Sequence, residues 1–308
     1  MELLHHYTNR AGLEGIARTK SLWATNFLDL KDTREILYGL VELLKLSLKS
    51  AMAEVPADKK QRSYTDADLA QIEEKFYSHI RTVACQADDG HLYVTSFAAA
   101  KTPDHDRRGI RSLWKDIGED GYCLQFSKDD IEMLVQREDR LFNYGLIQAS
   151  SVSYGLDKSS SDYGPLQSQM VQRLLCFIAT ARPDVGVELQ HERLWPETTF
   201  VGKLMMQFCA RHKDPYFEDQ REFRILAIPA NTAASRPFTG IAVKKRPHLP
   251  PSGKRYIDIG EGWERGIEPR QILVGPCASR NLQDVLNSFS CLPEIIYVDV
   301  PEYPEQAS

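Results

Sequence analysis

The residues best equipped for chemistry gather in one stretch, Phe217-Glu218-Asp219-Gln220-Arg221-Glu222-Phe223-Arg224-Ile225, which follows Lys213-Asp214-Pro215. Its second half runs into an apolar strand expected from Phe223 to Ile228 and closed by Pro229. Side chains alternate faces along a strand, so Gln220 and Glu222 are expected to point one way and Arg221 and Phe223 the other. A carboxylate beside an amide at a strand entrance can grip a sugar hydroxyl and orient an attacking group. An acidic, solvated turn ahead of an ordinary strand accounts for the same residues, so the remainder of the chain has to decide.

The other chemical candidates are weaker. His5-His6 sits on the expected first strand, where alternation sends only one of the two into any cleft, and no further metal ligands stand nearby. Gly260-Glu261-Gly262-Trp263-Glu264-Arg265-Gly266 has its third glycine one residue late for a dinucleotide loop, and Pro269 stands where the helix should run. A phosphate cradle needs that helix N-terminus, so the segment reads as a turn. Lys244, Lys245, Arg246, Lys254 and Arg255 form the most basic segment, able to meet nucleic-acid or cofactor phosphates but equally a solvated hairpin tip. There is no G-x-S-x-G elbow and no Walker loop.

Positioning these residues requires an irregular series of strands and helices. Strands are expected over Leu3–Thr8, Ser21–Thr25, Leu92–Phe97, Gly121–Phe126, Leu146–Tyr154, Gly240–Lys244, Arg255–Ile259, Ile272–Val274 and Ile295–Val300. Apolar residues at helical spacing place helices at Ala11–Ala17, after a capping box Asp32-Thr33-Arg34-Glu35, from about Thr65, and over Leu166–Ala181, Thr198–His212 and Asn281–Phe289. Such mixing, with a strand-rich second half, predicts an α+β fold and not a regular parallel βαβ sheet. No linker interrupts the chain, so residues 1–308 are expected to form a single domain, with helical insertions at about 32–86 and 160–212.

Composition narrows the classes. At 308 residues, 42% apolar and 26% charged, the chain can bury a large core. A formal net charge of −5 argues against a whole-surface nucleic-acid binder. Six scattered cysteines without a C-x-x-C pair predict reduced thiols in a cytoplasmic protein, with no metal site. Neither a signal peptide nor a membrane-spanning run is visible.

Four stretches, in order, add a resemblance. They are His6-Tyr7-Thr8; Leu22-Trp23-Ala24-Thr25 with Asp29 and Glu35 downstream; Val94-Thr95-Ser96-Phe97 followed by Trp114 and Gly121-Tyr122-Cys123; and Gln220-Arg221-Glu222-Phe223-Arg224. Together they resemble the bacterial domain-of-unknown-function family 2971, from the first strand to Ile272-Leu273-Val274-Gly275-Pro276. That family is in turn similar to a divergent branch of the ADP-ribosyltransferase superfamily. The resemblance implies an ADP-ribosyltransferase-like split β-sandwich of two small sheets, with NAD as co-substrate in the cleft between them.

Carried over by position, His6 matches the first-strand residue that holds the adenosine-side ribose, and Gln220 and Glu222 fit a Q-x-E motif. Ser96 with Thr95 resembles a Ser-Thr-Ser strand whose first serine is Val94 here. Tyr7 stands where many members carry a glycine near the nicotinamide, and Trp23 is a loose match to an aromatic position. The implied cofactor-binding set is therefore His6, Tyr7, Thr8, Trp23, Thr25, Thr95, Ser96 and Phe97, with Glu222 and Gln220 as catalytic groups. Breaking the nicotinamide–ribose bond develops positive charge on the sugar, and a fixed carboxylate at Glu222 would stabilise that charge more than the ground state. The implied activity is transfer of ADP-ribose to a macromolecular acceptor, nucleic acid or protein, in a toxin or phage-defence setting. Two alternatives stand beside it: a non-catalytic ligand-binding or interaction module on the same fold, and an RNA-directed phosphotransferase, for which only His6 is suited.

Overall fold

A computed structural model describes residues 2–30, 33–54, 92–117, 120–180, 208–229 and 255–298. The chain opens with strand β1 (Leu3–Thr8) and helix α1 (Arg10–Thr19). The Asn9 side chain accepts from the Gly12 amide at the helix start, and Lys20 in the left-handed region ends it. Leu13, Ile16 and Ala17, spaced three and four apart, form the buried stripe. Strand β2 (Leu22–Asn26) and the long helix α2 (Thr33–Glu54) follow, then β3 (Tyr93–Ala99) and two short helices, α3 (Pro103–Arg108) and α4 (Arg111–Ile117). Next come β4 (Tyr122–Ser127), α5 (Lys128–Leu141), β5 (Tyr144–Ser151), β6 (Ser153–Tyr154) and α6 (Tyr163–Thr180). The site-bearing stretch is β7 (His212–Lys213), a 3-10 turn (Pro215–Gln220) and β8 (Glu222–Pro229). Strands β9 (Tyr256–Ile259), β10 (Gln271–Val274) and β11 (Glu294–Tyr297), with a one-turn helix α7 (Gln283–Leu286), complete the described chain.

The expected α+β class is observed, as a nine-stranded, mostly antiparallel sheet with helices packed on it, plus a two-stranded β6–β7 sheet. Its decisive feature is a fork at β3. One edge of β3 pairs with β8 from Tyr93 to Ala98. The other edge is shared: β2 takes Tyr93 and Val94, whereas β1 takes Ala98 and Ala99. Between them Thr95, Ser96 and Phe97 have no strand beside that edge among the described residues. Strand β1 continues past His5 along β4 alone, to Thr8 opposite Tyr122.

One face of the sheet carries the main core, in which Leu4, Phe97, Leu124, Phe126, Phe223 and Ile225 meet α1 and α5 through Leu13, Ile16, Ile131 and Leu134. Each such buried side chain contributes about 2 kcal/mol relative to exposure. The opposite face is divided. Tyr7, Trp114, Cys123, Leu273 and Val298 pack together at one end, while the 208–220 segment covers the other.

Several expected boundaries shift for local reasons. The single strand expected over Leu146–Tyr154 is two, because Val152 closes the ladder on Glu222 and turns the chain into the small β6–β7 sheet. The helix expected over Asn281–Phe289 is reduced to α7, whose leading residue Leu282 provides no side-chain cap. The helix expected from Thr65, the strand at 240–244, the Asp32 cap and most of the helix at 198–212 lie outside the described residues.

Candidate functional site

Register lines up two rows of side chains across the fork on the divided face. His5 stands opposite Ala98, and Ala98 opposite Glu222. Ser96 stands opposite Arg224, and Arg224 opposite Ser150. The small residues Ser96 and Ala98 thus lie on this face between β1 on one bank and β8 on the other, Ser96 open to solvent and Ala98 covered. Ser96 is the exposed residue of β3, whose other members are all buried.

The β8 bank is charged and dense. Arg224 Nε donates to Glu222 Oε1 at 2.6 Å and Nη2 to Oε2 at 2.8 Å, while Lys213 Nζ reaches Oε2 at 3.0 Å. All three side chains are buried, at 9% exposure or less. A third Arg224 nitrogen donates to the Ala210 carbonyl at 2.8 Å, and the Glu222 amide donates to the Tyr154 hydroxyl. Burial alone would raise the Glu222 pKa, but Arg224, Lys213 and the nearby Ser96 hydroxyl outweigh it and hold it at about 2. Tyr154 moves the other way, pushed up to about 12 chiefly by burial. Glu222 is therefore ionised throughout the neutral range.

Lys213 also donates to Gln220 Oε1 at 2.6 Å, and its ammonium lies 4.9 Å from the centre of the Phe217 ring. Gln220 and Glu222 thus meet at one ammonium, but not by the expected route. Gln220 ends the 3-10 turn, Arg221 adopts the left-handed region at φ 42°, and the strand begins only at Glu222. The alternation argument across Gln220–Glu222 fails because Arg221 is not extended.

His6 lies at the fork itself. Its Nδ1 is 3.0 Å from the Ser96 carbonyl, in the gap that the β1–β3 ladder leaves open. Its ring faces Phe97, at 5.4 Å between centroids, on the core side of the sheet, and burial lowers its pKa. His6 and Ser96 therefore touch, Ser96 adjoins Glu222, yet the His6 ring and the Glu222 carboxylate belong to opposite faces by register. The histidine on the Glu222 face is His5, fully buried, with Nε2 3.0 Å from Asp106 Oδ1. Desolvation lowers its pKa against the pull of Asp106.

The remaining expected residues scatter around this centre. Tyr7 accepts from the Ile110 amide and meets Trp114 edge-on at 5.0 Å, so its ring holds down α3–α4. Thr8 ends β1 against Gly12, where an added Cβ would fall 2.0 Å from the Thr8 hydroxyl oxygen. Thr95 is buried and donates to the Trp23 carbonyl at 2.9 Å, lacing β2 to β3 on the far side of the fork. Trp23 itself leans on Tyr256, with centroids 5.0 Å apart, Thr25 pairs with Val94, and Phe97 belongs to the core. Of the basic segment, Lys244, Lys245, Arg246 and Lys254 lie outside the described residues, and Arg255 grips Asp29 through Nε at 2.9 Å and Nη2 at 3.1 Å.

Sequence reasoning gave no site role to Lys213, Arg224, His5, Asp106 or Gln125. A carboxylate two residues before an arginine in a buried strand was a usable signal for Arg224, since an unpaired buried charge is costly. Nothing local pointed to Asp106, which His5 meets 101 residues away. Among the described residues no group of three or more His, Cys, Asp or Glu could hold a metal, and no helix is long and apolar enough to cross a membrane. No family model matches the chain, and no match is found among curated proteins or solved structures.

Proposed function

We propose that the chain is an NAD-dependent ADP-ribosyltransferase that binds NAD at the fork and modifies a macromolecular acceptor, nucleic acid or protein. The observation that carries this reading is exposed Ser96 at the fork, whose carbonyl meets His6 on one face of the sheet and whose hydroxyl adjoins Glu222 on the other. The seam between β1 and β3 is two residue pairs wide, so the sheet is nearly divided into β11–β10–β4–β1 and β9–β2–β3–β8–β5. That near-division supports an ADP-ribosyltransferase-like split β-sandwich with a cleft at the seam. An ionised, immobile Glu222 supplies the fixed negative charge that an oxocarbenium-like ribose needs. A toxin or phage-defence role is the setting that accords with this chemistry.

The test is nicotinamide release from NAD, with and without cell extract as acceptor source. Under this reading Glu222→Gln lowers turnover by roughly a hundred- to a thousand-fold, with little change in NAD affinity. Glu218→Gln, in the turn, is the control and leaves turnover unchanged. Wild-type turnover in Glu222→Gln removes Glu222 from the mechanism.

One observation favours a second reading, a non-catalytic ligand-binding module. Both Glu222 oxygens already accept from Arg224 and Lys213. On that reading NAD raises the melting temperature by mass action and no nicotinamide is released.

A further inference from the structure

We propose that Lys213 is an internal latch on Glu222, and that the 212–221 segment must release it before Glu222 can act on a ribose hydroxyl. This inference rests on the transferase reading and names the regulation of that site. An ionised carboxylate offers about four lone-pair sites. Arg224 takes one on each oxygen, Lys213 takes another on Oε2, and the Ser96 hydroxyl adds to the pull. An incoming hydroxyl must displace one of these donors.

Arg224 is the wrong one to displace. It is two residues along the same strand, inside the ladder between β3 and β5, and a further nitrogen is fixed on Ala210. Lys213 comes from outside the main sheet, on the two-residue strand β7 paired with β6 alone. Between Lys213 and Glu222 lies a 3-10 turn, broken at Phe217 and ended by left-handed Arg221, a strained conformation for a non-glycine residue. Asp214, Pro215, Tyr216, Glu218 and Asp219 are exposed, so the turn itself is lightly packed, while His212 and Lys213 are buried. In the closed state Lys213 is caged by Gln220, Glu222 and the Phe217 ring. Gln220 and Phe217 move with the turn, so opening withdraws the cage and its occupant together. Glu222 then keeps Arg224 and gains a lone pair free to accept from a ribose hydroxyl.

Two measurements on the full chain test the latch. Nicotinamide release by Lys213→Met is expected to exceed wild type at least tenfold in kcat, with KM changed less. In wild type, Lys213 is expected to be among the slowest lysines to react with an acetylating reagent, read by mass spectrometry, and to react faster when saturating NAD is present. An active wild type that Lys213→Met does not exceed overturns the latch and leaves the transferase reading standing. Fast acetylation of Lys213 without NAD overturns the latch even if Lys213→Met fails to fold. Neither nicotinamide release nor a thermal shift with NAD, in either protein, sinks the transferase reading and the latch with it.

Discussion

The two banks of the fork are held by different forces. On the β1–β4 bank, α3 and α4 are fixed mainly by neutral groups, the Tyr7 hydroxyl on the Ile110 amide, Gln125 on the Asp106 carbonyl and the Trp114 indole on the Arg108 carbonyl, with one titratable contact, buried His5 on the Asp106 carboxylate. On the β3–β8 bank, Lys213, Glu222 and Arg224 form a buried ionic cluster. Neutral hydrogen bonds lose little when salt or pH changes, and each is replaceable at modest cost. A buried charge cluster is sensitive to the loss of a core partner, because without Arg224 or Glu222 a desolvated charge is left poorly paired. On this contrast the β1 bank serves as scaffold, and the β8 bank is where the proposed latch would act.

Removing Arg224 tests that contrast most severely. Arg224→Leu leaves Glu222 with Lys213 alone and is expected to cost about 3–5 kcal/mol in urea unfolding. Replacing Arg224, Glu222 and Lys213 together by Leu, Leu and Met is expected to recover most of that loss, since the desolvation cost leaves with the charges. A triple variant as unstable as Arg224→Leu would mean the cluster is not self-contained.

Acid titration separates the banks by window. The folded-state pKa of Glu222, about 2, lies below its ordinary 4.5, so its contribution is complete above 4.5 and is lost as pH falls toward 2. The amount at stake is on the order of 3 kcal/mol, and Glu222→Gln should erase this slope. His5 on the other bank is also depressed below its ordinary 6.5, so stability falls earlier, as pH drops below 6.5 and the unfolded chain takes up the proton first. His5→Gln should flatten that upper window and leave the lower one intact.

Much of the scaffold was legible and much of the ionic bank was not. Strands β1, β4 and β10 and helices α1 and α6 sit within a few residues of where apolar periodicity puts them, because that signal is local. The fork depends on two strands sharing one edge of β3, which no single segment encodes. Sequence order singled out His6, Ser96 and Glu222, but that His5 and not His6 shares a face with Glu222 required the register. Gln220 and Glu222 do converge, through Lys213, because a left-handed arginine replaces the extended residue that alternation assumes. Left-handed positions are usually read from Gly or Asn, and Arg221 gave no such warning.

Smaller effects sharpen the contrast. Tyr7→Phe strands the Ile110 amide under α4 and is expected to cost about 1–3 kcal/mol, equally at pH 4 and pH 8. A strong pH dependence of that cost would mean the Tyr7–Ile110 contact is coupled to the His5–Asp106 pair. Tyr216→Ala, at a side chain 85% exposed, should shift stability by no more than about 0.5 kcal/mol.

The central claim, that the fork receives NAD, is tested most directly by calorimetric titration of NAD into wild type and Ser96→Trp. Ser96 is exposed, so the larger ring should cover the fork without lowering the melting temperature by more than a few degrees. Saturable binding by wild type, lost in a folded Ser96→Trp, is the result expected. Equal binding by both proteins, or none by wild type at millimolar NAD, would contradict it.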